Sequence, residues 1–442
     1  MLDMLAIWLV LFVVCVIMIR RRRQRGAFVL AYFLGLSLIH VPGIVNFMGE
    51  APPFAGFPET RRGFEVTLAG LGAFLVGVRF AWRPARAQRL VAPVDPRTIA
   101  YHEIGLVLFA SGVVAYFIVT PLASFIPSAT SVLSSIGSLL IVGYWALLFD
   151  AIVHRDGPRT LLVLATIPLL PLSTLATGGF IGYGVYWMIA IVSFYFVHVP
   201  RRQVLLLAIS PLVCYLGLSL SIAYFAERTA IRDAVWHEQA GYSERLDRIA
   251  GIIESFDFYT PDNAKHFVAI DERMNQNYLV GLGVIRHETG VTDLFYGATV
   301  PWWSLVPRAI WPDKPEVGGG GQVVSMFTGT RFAQGTSVGA GQPLEFYANF
   351  GWIGVLAGFL ITGALLGRLD IGLSNAFASG DVRAILTNGL PGLALLQPGG
   401  NLLEIFVAAV AAMVAARLSF FALVELRLLP SLRPLRRKVP VG

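Results

Sequence analysis

Charge is what this chain has least of. Only 14% of its 442 residues are Asp, Glu, Lys or Arg, where a soluble domain averages about 25%. That poverty excludes an ordinary water-soluble fold. Cysteine is nearly absent too. Cys15 and Cys214 each lie inside an apolar run, which excludes a disulfide framework and reads as two small buried hydrophobes. The seven histidines, 40, 102, 154, 198, 237, 266 and 287, are scattered singly. None stands at metal-ligand spacing, and residues 46–63 carry no Asp-x-Asp or Glu-x-Asp pair. No metal and no cofactor are therefore expected. There is no visible internal repeat. The formal charge of +7 is not a nucleic-acid signature, because the basic residues gather in short clusters at the ends of apolar segments, where they report orientation.

What is present is hydrophobic sequence from end to end: 56% of residues, with a mean hydropathy of +0.68. A spanning helix needs about 20 mostly apolar residues. Eleven segments qualify, near 3–19, 27–45, 64–81, 103–122, 132–152, 160–176, 181–199, 203–225, 350–367, 383–397 and 402–424. The expected class is an all-α polytopic membrane protein. The first segment is not read as a cleavable signal, since its arginines, Arg20 to Arg23 and Arg25, follow the apolar run rather than precede it.

Lys and Arg cluster at 20–25, 79–97, 155–159, 201–202, 368–383 and 427–438, after every odd-numbered segment. These clusters hold 21 of the 34 basic residues, while the short loops of the other face carry only Arg61 and Arg62. The positive-inside rule then puts the N-terminus outside and the C-terminus in the cytoplasm. It divides the chain into a bundle of eight segments (1–225), a large outer loop (226–349), and three further segments with a basic tail (350–442). A loop this long is usually functional. FYGATVPWWSLVPRAIW, 295–311, has the aromatic content of a membrane interface, so short interfacial helices are expected there. Segment 10, within TNGLPGLALLQPGGN (387–401), is broken by Gly and Pro. It reads either as irregular backbone lining a site or as a short tilted helix with a tight turn. Arg417, inside segment 11 with Glu404 above it, is either functional or snorkelling.

The densest chemistry lies in VPRAIWPDKP, 306–315. Three prolines fix backbone angles and push the preceding residues out of the helical region. Arg308 and Lys314 are thereby held in place, with Trp311 as a headgroup-level anchor. Rigid cations at a leaflet suit a lipid diphosphate; basic side chains snorkelling beside an aromatic are the alternative. DERMNQNYL (271–279) adds Arg273, and TRFAQGTSVGAGQPLEFYANFGWIG (330–354) adds Arg331 and Glu345. Asp313 and His287 complete the set, although Asp313 equally suits a turn. Cations for a leaving diphosphate and a carboxylate or His to take a hydroxyl proton would serve glycosyl transfer.

The combination DERMNQNYL, VPRAIWPDKP and GQPLEFYANFGWIG resembles the bacterial oligosaccharide repeat-unit polymerases, the O-antigen polymerase (Wzy-like) family. Motifs match over about 270–355, and the layout of many spans with one large outer loop matches over the whole chain. The resemblance implies a GT-C-like, metal-independent glycosyltransferase at the periplasmic face of the bacterial inner membrane. Its substrate would be an oligosaccharide on undecaprenyl diphosphate, polymerised into O-antigen, capsule or exopolysaccharide. Its partners would be membrane lipid and the chain-length regulator and flippase of the same pathway. Carried over, Arg273, Arg308 and Lys314 become diphosphate contacts, and Glu345, with Tyr347 and Asn349, becomes the catalytic and sugar-binding element. A flippase for the same lipid, a ligase using the same donor, and a non-enzymatic assembly partner are the other readings.

Overall fold

The computed structural model describes residues 1–22, 25–48, 56–83, 95–122, 129–236, 241–254, 256–260, 263–290, 306, 310–311, 313, 320–332, 336 and 338–429. Among them every regular element is helical, with no strand. Among the described residues ten helical runs are long and apolar enough to cross a membrane, with Tyr101–Val119, Thr130–Val153 and Gly157–Gly178 made of consecutive shorter helices. They coincide with ten of the eleven expected segments, and the chain is a multi-pass membrane protein. The exception is segment 10. It forms only a 13-residue helix, Val382–Ala394, with Pro391 inside it, and then gives way to irregular backbone. At 1.5 Å per residue that helix is too short to span a bilayer core of about 30 Å.

In chain order the principal helices are α1 (Leu2–Arg21), α2 (Ala27–Asn46), α3 (Phe57–Ala81), α4 (Tyr101–Val114), α5 (Thr130–Gly137), α6 (Leu139–Val153), α7 (Gly157–Thr166), α8 (Leu169–Gly178) and α9 (Ile181–His198). They continue with α10 (Gln203–Trp236), α11 (Tyr242–Glu254), α12 (Ala264–Met274), α13 (Gln276–Glu288), α14 (Gly320–Thr328), α15 (Gly341–Ser379), α16 (Val382–Ala394) and α17 (Leu402–Glu425). The described helices of 226–349 are thus the end of α10, the four short helices α11 to α14, and the start of α15, Gly341–Asn349.

Packing divides the chain into two compact units. One takes Met1–Ala81, Pro168–Gly367 and Leu396–Val407; the other takes Trp82–Ile167, Arg368–Leu395 and Ala408–Gly442. These units follow the proximity of the backbone, whereas the division at 225 and 349 followed the expected membrane topology.

In the first unit α3 and α13 cross at backbone contact. A Cβ on Gly63 would lie 2.0 Å from the carbonyl oxygen of Asn277, and one on Gly281 would lie 1.8 Å from that of Glu59. Small residues permit such approaches where lipid gives helices no hydrophobic reason to associate. On α12, His266, Phe267, Ile270 and Met274 are buried, spaced to face one side. Phe267 meets Phe47 edge-on at 6.0 Å, and Asn46 Nδ2 donates to its carbonyl at 3.1 Å. In the second unit α4 and α6 cross as closely: a Cβ on Gly112 would sit 2.0 Å from Leu140 N. The rings of Tyr101, Phe149 and Phe377 interlock beside that crossing.

Helix α15 is interrupted near its start. Phe350 leaves helical geometry, and Gly351 takes φ 58, ψ −147, a combination that glycine alone adopts readily. The break separates Gly341–Asn349 from the apolar run beyond, at the boundary where the hydropathy begins. Cys214 differs from expectation. It is exposed on α10, as an apolar residue on a face turned to lipid would be, while Cys15 is buried.

Candidate functional site

The polar residues of DERMNQNYL act first as a clamp. Between α12 and α13 the backbone leaves the helical region at Asn275, φ −115 and ψ 65, and three consecutive side chains reach three different elements. Asn275 Nδ2 donates to Thr60 Oγ1 at 3.1 Å and to Asp271 Oδ1 at 2.7 Å. Gln276 Nε2 donates to the Gly339 carbonyl at 2.8 Å. Asn277 Nδ2 donates to the His40 carbonyl at 2.7 Å, and its Oδ1 lies 2.6 Å from His40 Nδ1. An amide oxygen only accepts, so Nδ1 carries the proton. Thr67, 3.4 Å from the same nitrogen, gives its own proton to Gly63 O. Asn277, His40 and Thr67 are essentially fully buried. Gly43 makes room, since a Cβ there would meet the Asn275 side chain at 2.5 Å.

Arg273 ends α12, exposed, with the Glu272 carboxylate 4.0 Å away. It has company that the sequence did not reveal. Arg228 and Arg232, one turn apart on α10, stand close enough to Arg273 for the three charges to act on one another. Tyr224 hydrogen-bonds both α10 guanidiniums and also donates to the Gly179 carbonyl at 3.3 Å. Arg232 lies over the Phe180 ring, 4.5 Å from its centroid, an attraction that offsets part of the repulsion. Three like charges held on two helices form a ready counter-charge for a polyanion. The signal was available: Arg228 and Arg232 have i,i+4 spacing. It was missed because the helix was ended at 225, where hydropathy falls, and the helix runs on to Trp236.

Glu345 sits in a different setting. It is buried, 4% exposed, and accepts a hydrogen bond from Leu402 N at the start of α17. There it meets an otherwise unpaired N–H and the positive end of the helix dipole. Asn401 Oδ1 accepts from Ala340 N at 3.0 Å, and its Nδ2 donates to Glu404 at 3.2 Å. Gln342 N donates to Pro398 O at 3.1 Å, and the Tyr32 hydroxyl donates to Gln342. The irregular stretch after α16 is therefore covered by protein and paired with the approach to α15. The Glu345 and Glu404 carboxylates also feel one another. Among the described residues no ion pair reaches Glu345.

Tyr347, two residues on, faces away from Glu345. Its ring meets His287 at 5.3 Å and Trp352 at 5.5 Å, both edge-on. Asn349 is buried and donates to the Glu345 carbonyl one turn back at 2.7 Å. Arg331, Trp311 and Asp313 are exposed. Arg308 and Lys314 lie outside the described residues. Of the expected diphosphate contacts, then, the described ones are Arg273, inside the arginine group, and Arg331, on the surface. Arg417 is exposed on α17. Among the described residues no group of three or more His, Cys, Asp or Glu could hold a metal ion.

Compared with protein-family models, with curated proteins and with solved structures, the chain matches none.

Proposed function

We propose that this protein is a glycosyltransferase that polymerises undecaprenyl-diphosphate-linked oligosaccharide repeat units at the periplasmic face of a bacterial inner membrane. The observation that carries the reading is the arginine group Arg228, Arg232 and Arg273, held by Tyr224 and Phe180 beside the DERMNQNYL clamp. It supplies the fixed positive charge that a leaving lipid diphosphate requires. The resemblance of the chain's motifs to those of repeat-unit polymerases is what points to the reaction class.

In this reading the C1–O bond to the diphosphate breaks as C1 bonds to an acceptor hydroxyl oxygen. The hydroxyl proton passes to a carboxylate, and undecaprenyl diphosphate leaves. The arginines stabilise the charge that develops on the leaving group, and Arg308 and Lys314 are the further cations that the motif resemblance offers for it. Such preorganised electrostatics need no metal and are usually the largest catalytic contribution. Glu345 is the carboxylate that the motif resemblance offers as base. In the fold it caps α17, so its catalytic use requires it to exchange the Leu402 N–H for substrate.

One observation favours a second reading. The irregular stretch between α16 and α17, set against a helix N-terminus, is an arrangement that transporters use to hold substrate. A flippase for the same lipid would use the arginines without chemistry. The test is purified protein in detergent with a synthetic undecaprenyl-diphosphate repeat unit and EDTA. A ladder of products supports the polymerase. No ladder, with transbilayer movement of the lipid in vesicles, supports the transporter and overturns the polymerase.

A further inference from the structure

A cavity of about 340 Å³ opens beside the clamp, lined by Phe47, Gly56, Thr60, Val268, Asp271, Glu272 and Tyr278. We propose that it is a sugar-binding pocket. It takes a neutral mono- or disaccharide, whose hydroxyls bond Asp271 and Glu272 while a pyranose face rests on the aromatic wall. The assignment deepens the polymerase reading by naming where the sugar next to the diphosphate is held, and rests on that reading only for the identity of the sugar as substrate.

The lining argues for this class. The volume falls within the roughly 300–1,000 Å³ of small-molecule sites. Tyr278 is braced flat: a Cβ on Gly56, which has φ +129, would meet its ring at 2.8 Å. Phe47 is fixed edge-on between Phe57 at 5.8 Å and Phe267 at 6.0 Å. Rigid aromatic walls present an apolar face to the C–H groups of a sugar ring. Opposite them stand acceptors rather than cations. Asp271 is half-buried, and Asn275 anchors one of its oxygens at 2.7 Å, which leaves the other for a ligand hydroxyl. Charge-assisted bonds from hydroxyl to carboxylate are the strong ones. Thr60, fully buried, accepts from the same Asn275 and so helps to hold the amide that anchors Asp271.

Other ligand classes fit worse. Two carboxylates repel a phosphate. A cation would meet the field of Arg273, the residue next to Glu272, and of the two arginines beside it. A neutral polyol avoids both penalties. A glycosyl diphosphate meets both halves of the arrangement, with sugar among the carboxylates and rings and phosphates on the arginines one residue further along α12. Burial raises the Asp271 carboxyl above its ordinary value, with the neighbouring Glu272 adding to this and the Asn275 bond opposing it, so its charge is held at a cost that a bound hydroxyl relieves.

The test is saturation-transfer difference NMR on the full-length protein in detergent. The probes are free glucose, galactose, mannose, rhamnose and N-acetylglucosamine. Two variants accompany the wild type. Val268→Trp fills the cavity from an exposed position without removing a hydrogen bond, and Tyr278→Ala removes the wall. Melting temperatures verify that both fold. The expected result is transfer to the ring protons of at least one sugar, abolished by Val268→Trp and weakened about tenfold, the equivalent of about 1.4 kcal/mol, by Tyr278→Ala. No transfer to any sugar, or transfer unchanged in both variants, overturns the pocket. Failure of the two readings is distinguishable. Variant-sensitive transfer in a protein that makes no ladder keeps the pocket and removes the polymerase. A full ladder from Val268→Trp removes the pocket and keeps the polymerase.

Discussion

The pair His40 and Asn277 is 237 residues apart in sequence and fully buried, with two hydrogen bonds between its members at 2.6 and 2.7 Å. Replace Asn277 with Leu, and His40 Nδ1 loses its acceptor while the His40 carbonyl loses a donor. A stranded buried polar group costs about 1–3 kcal/mol. The carbonyl can still serve its own helix, and Thr67 stands 3.4 Å from Nδ1 as a partial substitute. The expected loss for Asn277→Leu is therefore about 2–3 kcal/mol. It is not larger, because measured hydrogen bonds between membrane helices average only about 0.6 kcal/mol net. His40→Leu strands the amide oxygen of Asn277, while Nδ2 keeps the backbone carbonyl of residue 40, and costs a similar amount. The double variant strands neither, so it should be about 1–2 kcal/mol more stable than the sum of the single losses predicts. Denaturant unfolding of the four purified proteins in detergent completes the cycle. Additivity within about 0.5 kcal/mol would refute the pairing and, with it, the role of the clamp in fixing 226–349 to α2.

Three further outcomes follow from the packing and the charges. Gly281→Ala puts a methyl 1.8 Å from the Glu59 carbonyl oxygen, so α3 and α13 must separate. A loss of about 1–3 kcal/mol in unfolding free energy is expected, and an unchanged melting temperature contradicts the contact. Arg155 holds φ +57 at the turn between α6 and α7. Arg155→Gly, which relieves a cost of about 1 kcal/mol, should stabilise or leave unchanged, and a drop in stability would mean that the side chain outweighs the backbone. Asp271 gives a pH test. Its carboxyl is raised above 3.8, chiefly by burial, so the folded state resists the charged form. The resulting cost to stability is present above the folded-state value and vanishes as pH falls below 3.8. Asp271→Asn should accordingly be at least as heat-stable as wild type at neutral pH, with the gap closing towards acid. A gap that widens on acidification contradicts the burial argument.

The spans were legible because lipid imposes a length on apolar runs, and ten of them reappear as helical runs of spanning length. Segment 10 was counted as a span on its apolarity, yet its glycines and prolines already marked it as broken, and the helix there is 13 residues long with Pro391 inside it. Partners across the fold were not legible. Nothing in EFYANFGW announces that Glu345 will cap a helix beginning 57 residues later at Leu402. Glu345, Tyr347 and Asn349 were grouped as one element of a loop; because Gly341–Asn349 is helical, Tyr347 faces away from Glu345 and Asn349 lies one turn on from it. His40 and Thr67 were polar residues in apolar helices, a visible anomaly whose cause lay in the remote Asn277. Arg228 and Arg232 were hidden by the habit of ending a helix where its hydrophobicity ends. Backbone hydrogen bonding does not stop there.

The most direct measurement of the central claim is the polymerisation rate in proteoliposomes, with EDTA, for wild type and for Arg228→Gln, Arg232→Gln and Arg273→Gln. The account predicts a ladder from wild type and a fall of about 10²-fold for each neutralised arginine, the scale seen when one preorganised donor to a leaving or developing anion is removed. Melting temperatures report separately whether each variant keeps its fold, since relief of repulsion is set against the lost bonds to Tyr224 and the lost contact of Arg232 with Phe180. Full-rate ladders from all three variants, or no ladder from wild type, would contradict it.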